Sequence, residues 1–142
     1  MRKLLVIFPV LLLISCSNGK KQNQQEQQQN VATEKTNVEF TENTHNFGAL
    51  TAGEIVLYTF EFTNTGDSDY RISDIESDCG CVSIHYIQEA VKPGEKGWIE
   101  VELDTSGLVG REYKTIEIHG NSKELKHLAI FAEVKNELLE IK

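Results

Sequence analysis

Alternation with a period of two residues is the feature that most limits what this chain can become. In Glu54–Thr63 (EIVLYTFEFT), Val56, Tyr58, Phe60 and Phe62 fall on one side, and Thr59, Glu61 and Thr63 on the other. That is a half-buried strand, since successive side chains of an extended chain point to opposite faces. The pattern recurs. Val82, Ile84 and Tyr86 alternate. Ile99, Val101 and Leu103 point one way, while Trp98, Glu100, Glu102 and Asp104 point the other. Shorter strands are read at Tyr70 to Ile75 and Tyr113 to His119, and Leu128, Ile130, Ala132 and Val134 make a last apolar face.

Turn chemistry separates these runs: Asn64-Thr-Gly-Asp67, Lys92-Pro-Gly-Glu95, Thr105-Ser-Gly107 with Gly110, and His119-Gly-Asn-Ser122. No stretch before the C-terminal tail keeps the 3.6-residue period of a helix. Breaks roughly every ten residues, between short alternating runs, predict an all-β fold. The expected form is an immunoglobulin-like antiparallel β-sandwich of about seven strands.

The N-terminus has a different character. Met1-Arg-Lys3 is basic, and Leu4–Ile14 (LLVIFPVLLLI) is apolar but shorter than the ~20 residues a membrane-spanning helix needs. It reads as a secretory signal. Leu13-Ile14-Ser15-Cys16 resembles a bacterial lipobox, which implies cleavage before Cys16 and lipid on its thiol. Residues 17–37 hold six glutamines and almost nothing apolar, so they cannot offset the entropy of ordering. The expected organisation is a lipoprotein signal peptide (1–15), a lipidated Cys16 with a disordered Gln-rich tether (16–37), and one β-sandwich domain (38–142).

Charge excludes one class of partner. Of 14 basic residues, cleavage would remove Arg2 and Lys3, leaving 12 against 22 acidic ones, a formal charge of −10. Such a chain is repelled by phosphate backbones, so nucleic acid is not an expected ligand.

Several segments together resemble a known family. They are Phe60-Glu-Phe-Thr-Asn-Thr-Gly66, Cys79-Gly-Cys81, Lys92-Pro-Gly94, Gly97-Trp-Ile-Glu-Val-Glu-Leu-Asp-Thr105, Gly110 and Lys114-Thr-Ile116. In this order they resemble the 1573 family of bacterial domains of unknown function, over roughly Phe47 to Val134. The resemblance implies a secreted or lipid-anchored protein with an immunoglobulin-like fold similar to major-sperm-protein and PapD sandwiches. Val82 departs from it, because the family usually has threonine after Cys-Gly-Cys.

Cys79 and Cys81 leave three readings open. With Cys16 lipidated, they form an even pair in a compartment where disulfides persist. Residues two apart on an extended chain have Cα atoms about 6.5 Å apart, near the upper limit for a bridge, and Gly80 would let the backbone close inward. A ring this small constrains the unfolded chain little. As a metal clip, two thiolates suit Cu(I), with His85 the nearest further ligand. His45, His119 and His127 are scattered, and are read as surface or strand-edge residues. As a redox dithiol, the pair needs a basic neighbour. The flank Glu76-Ser-Asp78 is acidic, and Arg71 is the candidate to compensate.

If strand geometry ran through residues 79–86, Cys79, Cys81, Ser83 and His85 would share an outer face or the strand's mouth, and Val82, Ile84 and Tyr86 the core. Glu100 and Glu102 read as a solvated face rather than an acid–base pair. Trp98 and Phe131 read as exposed aromatics at the sandwich edge. No hydrolase elbow, zinc-protease motif or phosphate loop occurs.

The expectation is therefore a non-enzymatic binding or scaffolding domain. It is held by lipid in the bacterial envelope, on the outer membrane facing the periplasm, with another envelope protein as partner. The alternative is a dithiol protein using Cys79 and Cys81 for Cu(I) binding or thiol–disulfide exchange.

Overall fold

The structure, a computed structural model, describes residues 34–136. The signal peptide, Cys16 and most of the Gln-rich segment lie outside the described residues. Eight strands follow in order: β1 (Val38–Phe40), β2 (Thr44–Thr51), β3 (Ile55–Asn64), β4 (Ile72–Ser77), β5 (Val82–Tyr86), β6 (Lys96–Asp104), β7 (Gly110–Gly120) and β8 (Lys126–Lys135). They form two four-stranded sheets, β1-β3-β6-β5 and β2-β8-β7-β4. All pairings are antiparallel except β2 with β8, which is parallel. The expected all-β, immunoglobulin-like sandwich is what the chain forms.

For β3, β6 and β8 the inner faces are the ones the alternation assigns, and β7, read from the sequence only as a strand, adds a fourth. Phe60 and Phe62 from β3 and Ile99, Val101 and Leu103 from β6 are buried from one side. Ile116 and Ile118 from β7 and Leu128, Ile130, Ala132 and Val134 from β8 close on them from the other. Phe62 meets Phe40 and, edge-on, Tyr70 at centroid distances of 5.3 and 5.4 Å. Each fully buried side chain of this size contributes about 1.5–3 kcal/mol by leaving water.

Phe62 stands opposite Gly97 across the β3–β6 pair. A Cβ on Gly97 would clash with the Cζ end of the Phe62 ring, so this strand position favours glycine.

Two strands were not read from the sequence. β1 has only three residues. β2 is mostly polar, and its register against β8 shifts between Asn46 and Ala49, which breaks the alternation. Asn46 Oδ1 accepts from Gly48 N (2.9 Å) inside that bulge.

Ordered contacts also reach back past the expected boundary at Val38. Thr36 is fully buried and bridges to Ser122.

One buried polar side chain ties each end of the sandwich. At the end where β3 finishes, Asn64 accepts from Thr36 Oγ1 (2.9 Å) and Gly66 N (3.1 Å). Its amide donates to the carbonyls of Ser68 and Val91, both at 2.8 Å. At the other end, Thr105 Oγ1 lies 3.1 Å from the Thr51 carbonyl and 2.8 Å from that of Glu54, and accepts from Gly53 N (3.1 Å). Loop backbone that turns inward at each end thus keeps its hydrogen bonds, which a buried polar group needs.

Tyr70 is fully buried, and its hydroxyl makes no well-formed hydrogen bond. Ser122 is near it and offsets some of the effect of burial, but Ser122 Oγ is hydrogen-bonded at 2.6 Å to the Glu124 carbonyl. Burial dominates and pushes the Tyr70 pKa from 10.0 up to about 12.

Asn64→Ala strands four polar partners and should cost about 2–4 kcal/mol in urea unfolding. Gly97→Ala should cost about 1–3 kcal/mol or more by overpacking. Between pH 10 and 12 the native Tyr70 keeps a proton that the unfolded chain has lost. Stability should therefore fall as pH rises through that window, by up to about 2–3 kcal/mol. Tyr70→Phe should remove this fall without loss of stability at pH 7.

Candidate functional site

β4 and β5 are edge strands of different sheets, and the chain passes from one to the other through Asp78–Cys81. Ser77 starts the corner: its Oγ donates to the Cys79 carbonyl (2.7 Å) and accepts from Cys79 N (3.3 Å). Val82 N donates to the same carbonyl (3.2 Å), which closes a turn around Gly80. Asp78 Oδ2 accepts from Thr115 N (3.1 Å) and Thr115 Oγ1 (2.9 Å), pinning the corner to β7. Asp104 N donates to the Cys81 carbonyl (3.0 Å), pinning it to β6.

Within the corner the two sulfurs are in contact, paired as a disulfide with Cα atoms 5.1 Å apart. Cys81 N also donates to Cys79 Sγ (3.1 Å). The cysteines therefore precede β5 rather than lie along it. Ser83 and His85 face outward as expected, but Cys81 does not join them, because it packs against the core.

The remaining sequence candidates are dispersed. His85 stands across from Glu100 on β6, and among the described residues no three His, Cys, Asp or Glu side chains converge as metal ligands. Arg71 precedes β4 at the far end from the corner, so it does not compensate the acidic flank.

The basic residue the sequence reading missed is Lys114. Asp78 stands opposite Thr115, so the chain leaves the sheet beside Lys114. Lys114 and Glu112 share the inward row of Ile116 and Ile118. They form an ion pair at 2.7 Å, each side chain only 16% exposed. Extending the Ile116–Ile118 alternation back by two and four residues would have found both.

His45 lies on the edge strand β2, half-buried. It stacks on Tyr58 (centroids 3.5 Å apart) and meets Phe47 edge-on. His119 Nε2 lies 3.1 Å from Glu117, and His127 is exposed near the same carboxylate. Trp98 is 41% exposed beside Glu100 and Glu102, and on the opposite sheet Phe131 lies 4.8 Å from Tyr113.

The corner lies at one pole of the sandwich. β3 runs from Ile55, beside Asp104 and the Cys81 end of β5, to Asn64, beside Thr36. Ten residues of strand separate the Cys79–Cys81 pole from the pole where the described chain begins, about 30 Å.

The two packed sheets define an immunoglobulin-like β-sandwich. A human CEP192 domain, an ASH or PapD-like domain, superposes with a TM-score of 0.61 at 11% identity, over 72% of this chain and 87% of that one. A protein of unknown function from Porphyromonas gingivalis W83 gives 0.64 at 18% identity over 72% of this chain. This chain spans about half (48%) of that protein. VesB protease of Vibrio cholerae gives 0.55 at 13% identity, over 68% of this chain and 31% of that one. No curated protein matches. Residues 38–134 match the family described as protein of unknown function (DUF1573), and the chain belongs to that family.

Replacing Lys114 by Met leaves Glu112 half-buried without its partner. Chemical denaturation should show a loss of about 1–3 kcal/mol, most of it recovered on adding Glu112→Gln.

Proposed function

We propose that this is a lipid-anchored envelope protein whose sandwich binds or scaffolds another envelope protein without catalysing a reaction. Leu13-Ile14-Ser15-Cys16 supports the anchor: lipid on Cys16 holds the domain at the outer membrane, facing the periplasm. One observation carries the binding role. The free edges of β4 and β5 meet at the pole away from Thr36.

On β5, Cys81 and Ile87 bond to β6, which marks the odd residues as the inward-bonding ones. Ile84 therefore turns both backbone groups, and Tyr86 its N–H, to the open edge. The Tyr86 carbonyl accepts from Gln88 Nε2 (3.2 Å). A partner strand added here gains main-chain hydrogen bonds.

A second reading, a working dithiol, draws on a different observation. Asn64, Gly66, Gly97 and Thr105, among the residues that carry the family resemblance, each have a structural task. Asn64 and Thr105 bond the loops. Gly97 makes room for Phe62, and Gly66 abuts Thr36, where a Cβ would clash with the Thr36 hydroxyl. The Cys79–Cys81 ring closes too short a loop to stabilise the fold through chain entropy. Among the described residues no further ligand converges on these two thiolates, so Cu(I) here would be two-coordinate or take a ligand from elsewhere.

Cys16→Ser should move the protein from the membrane fraction to the soluble one. A photo-crosslinking side chain at His85 of the anchored protein should give a discrete protein adduct in living cells, and one at Ser68 should not. The scaffold reading fails if His85 gives no adduct.

A further inference from the structure

We propose that Cys79 is the sulfur through which this domain exchanges disulfides with a dithiol of another envelope protein, Cys81 being the sulfur that recloses the ring. This inference rests on the dithiol reading above.

The two sulfurs are not equivalent. Cys81 packs against the core, and its carbonyl is bonded to Asp104 N. Both cysteines are half-buried, but Cys79 is not part of that packing and adjoins Gly80, which is exposed and has open space around it. An attacking thiolate must approach along the line of the bond it breaks, so access selects Cys79.

In the reduced pair, electrostatics favours the same atom as the attacking thiolate. The Cys81 N–H donates to Cys79 Sγ at 3.1 Å, and a donor aimed at sulfur favours its thiolate. The nearest carboxylate, Asp78, is held by Thr115 N and Oγ1. The site also faces away from the pole where the described chain begins, so an anchored domain presents it to a partner.

The exchange balances as follows. A partner thiolate attacks Cys79 Sγ; the new S–S bond joins partner and Cys79, and Cys81 leaves as a thiolate. The partner's second thiolate then attacks its own bonded sulfur and releases Cys79. Two electrons pass from the partner dithiol to the Cys79–Cys81 disulfide. The partner gains a disulfide, and the pair ends as two thiols. The reverse sequence begins with Cys79 thiolate attacking a partner disulfide, and it places the mixed disulfide on the same residue.

The test uses the full-length chain as Cys79→Ser and Cys81→Ser variants, reduced and then mixed with excess glutathione disulfide. Peptide mapping separates either site from Cys16. Cys81→Ser, which keeps Cys79, should acquire glutathione at least about tenfold faster than Cys79→Ser. In wild type, acid-quenched at early times, the transient mixed disulfide should map to Cys79, which guards against a misfolded variant. Equal rates, or a wild-type adduct on Cys81, overturn the assignment of Cys79 while leaving exchange in place. If oxidised wild type resists reduction by millimolar glutathione, as structural disulfides do, both the assignment and the dithiol reading are overturned.

Discussion

A β-sandwich must turn its chain at both ends without stranding backbone polar groups in the interior, and in this protein two side chains solve that problem. Asn64 satisfies loops from three parts of the chain at one end, and Thr105 joins the β2–β3 and β6–β7 connections at the other. The apolar faces supply the driving force, but they would close with almost any loop arrangement. Fixed ends make a unique one, because a buried donor or acceptor left unpaired costs about as much as a sizeable side-chain burial contributes. The aromatic contacts of Phe62 with Phe40 and Tyr70, and the narrow space over Gly97, lie next to the Asn64 end and depend on its geometry.

That division of labour isolates the cysteine corner. Asp78 and Cys81 are fastened to the two sheets by Thr115 and Asp104, so the corner is already positioned by hydrogen bonds that do not involve sulfur. The disulfide adds little to a turn so constrained. It occupies the pole remote from Thr36, between two free edge strands, with the Lys114–Glu112 pair behind it. The proposed edge recognition and the proposed thiol exchange would then be neighbours at one pole. A partner strand on β5 would lie alongside the Cys79–Cys81 turn.

The inner faces of β3, β5, β6 and β8 were legible because one face of each is buried, and burial writes a two-residue period into the sequence. β1 was too short to show a period, and the bulge at Asn46–Ala49 erased it from β2. Asn64 and Thr105 read only as turn residues, since nothing local distinguishes a buried polar tie from a solvated one. The aromatic neighbours of His45 were hidden for a related reason: its stack on Tyr58 joins residues on different sheets. The cysteine pair was visible at once, but its surroundings were not. Arg71 was nearer in sequence, whereas pairing of β4 with β7 brings the chain to Lys114.

The most direct test of a closed, partner-facing corner is thiol alkylation of the intact chain at the moment of harvest from the cells that export it, before and after reduction. Cys79 and Cys81 should be modified only after reduction, on a folded domain whose other peptides are unchanged. Modification of both before reduction would contradict the closed corner, and with it the view that the chain's pairing across Gly80 is what this pole presents.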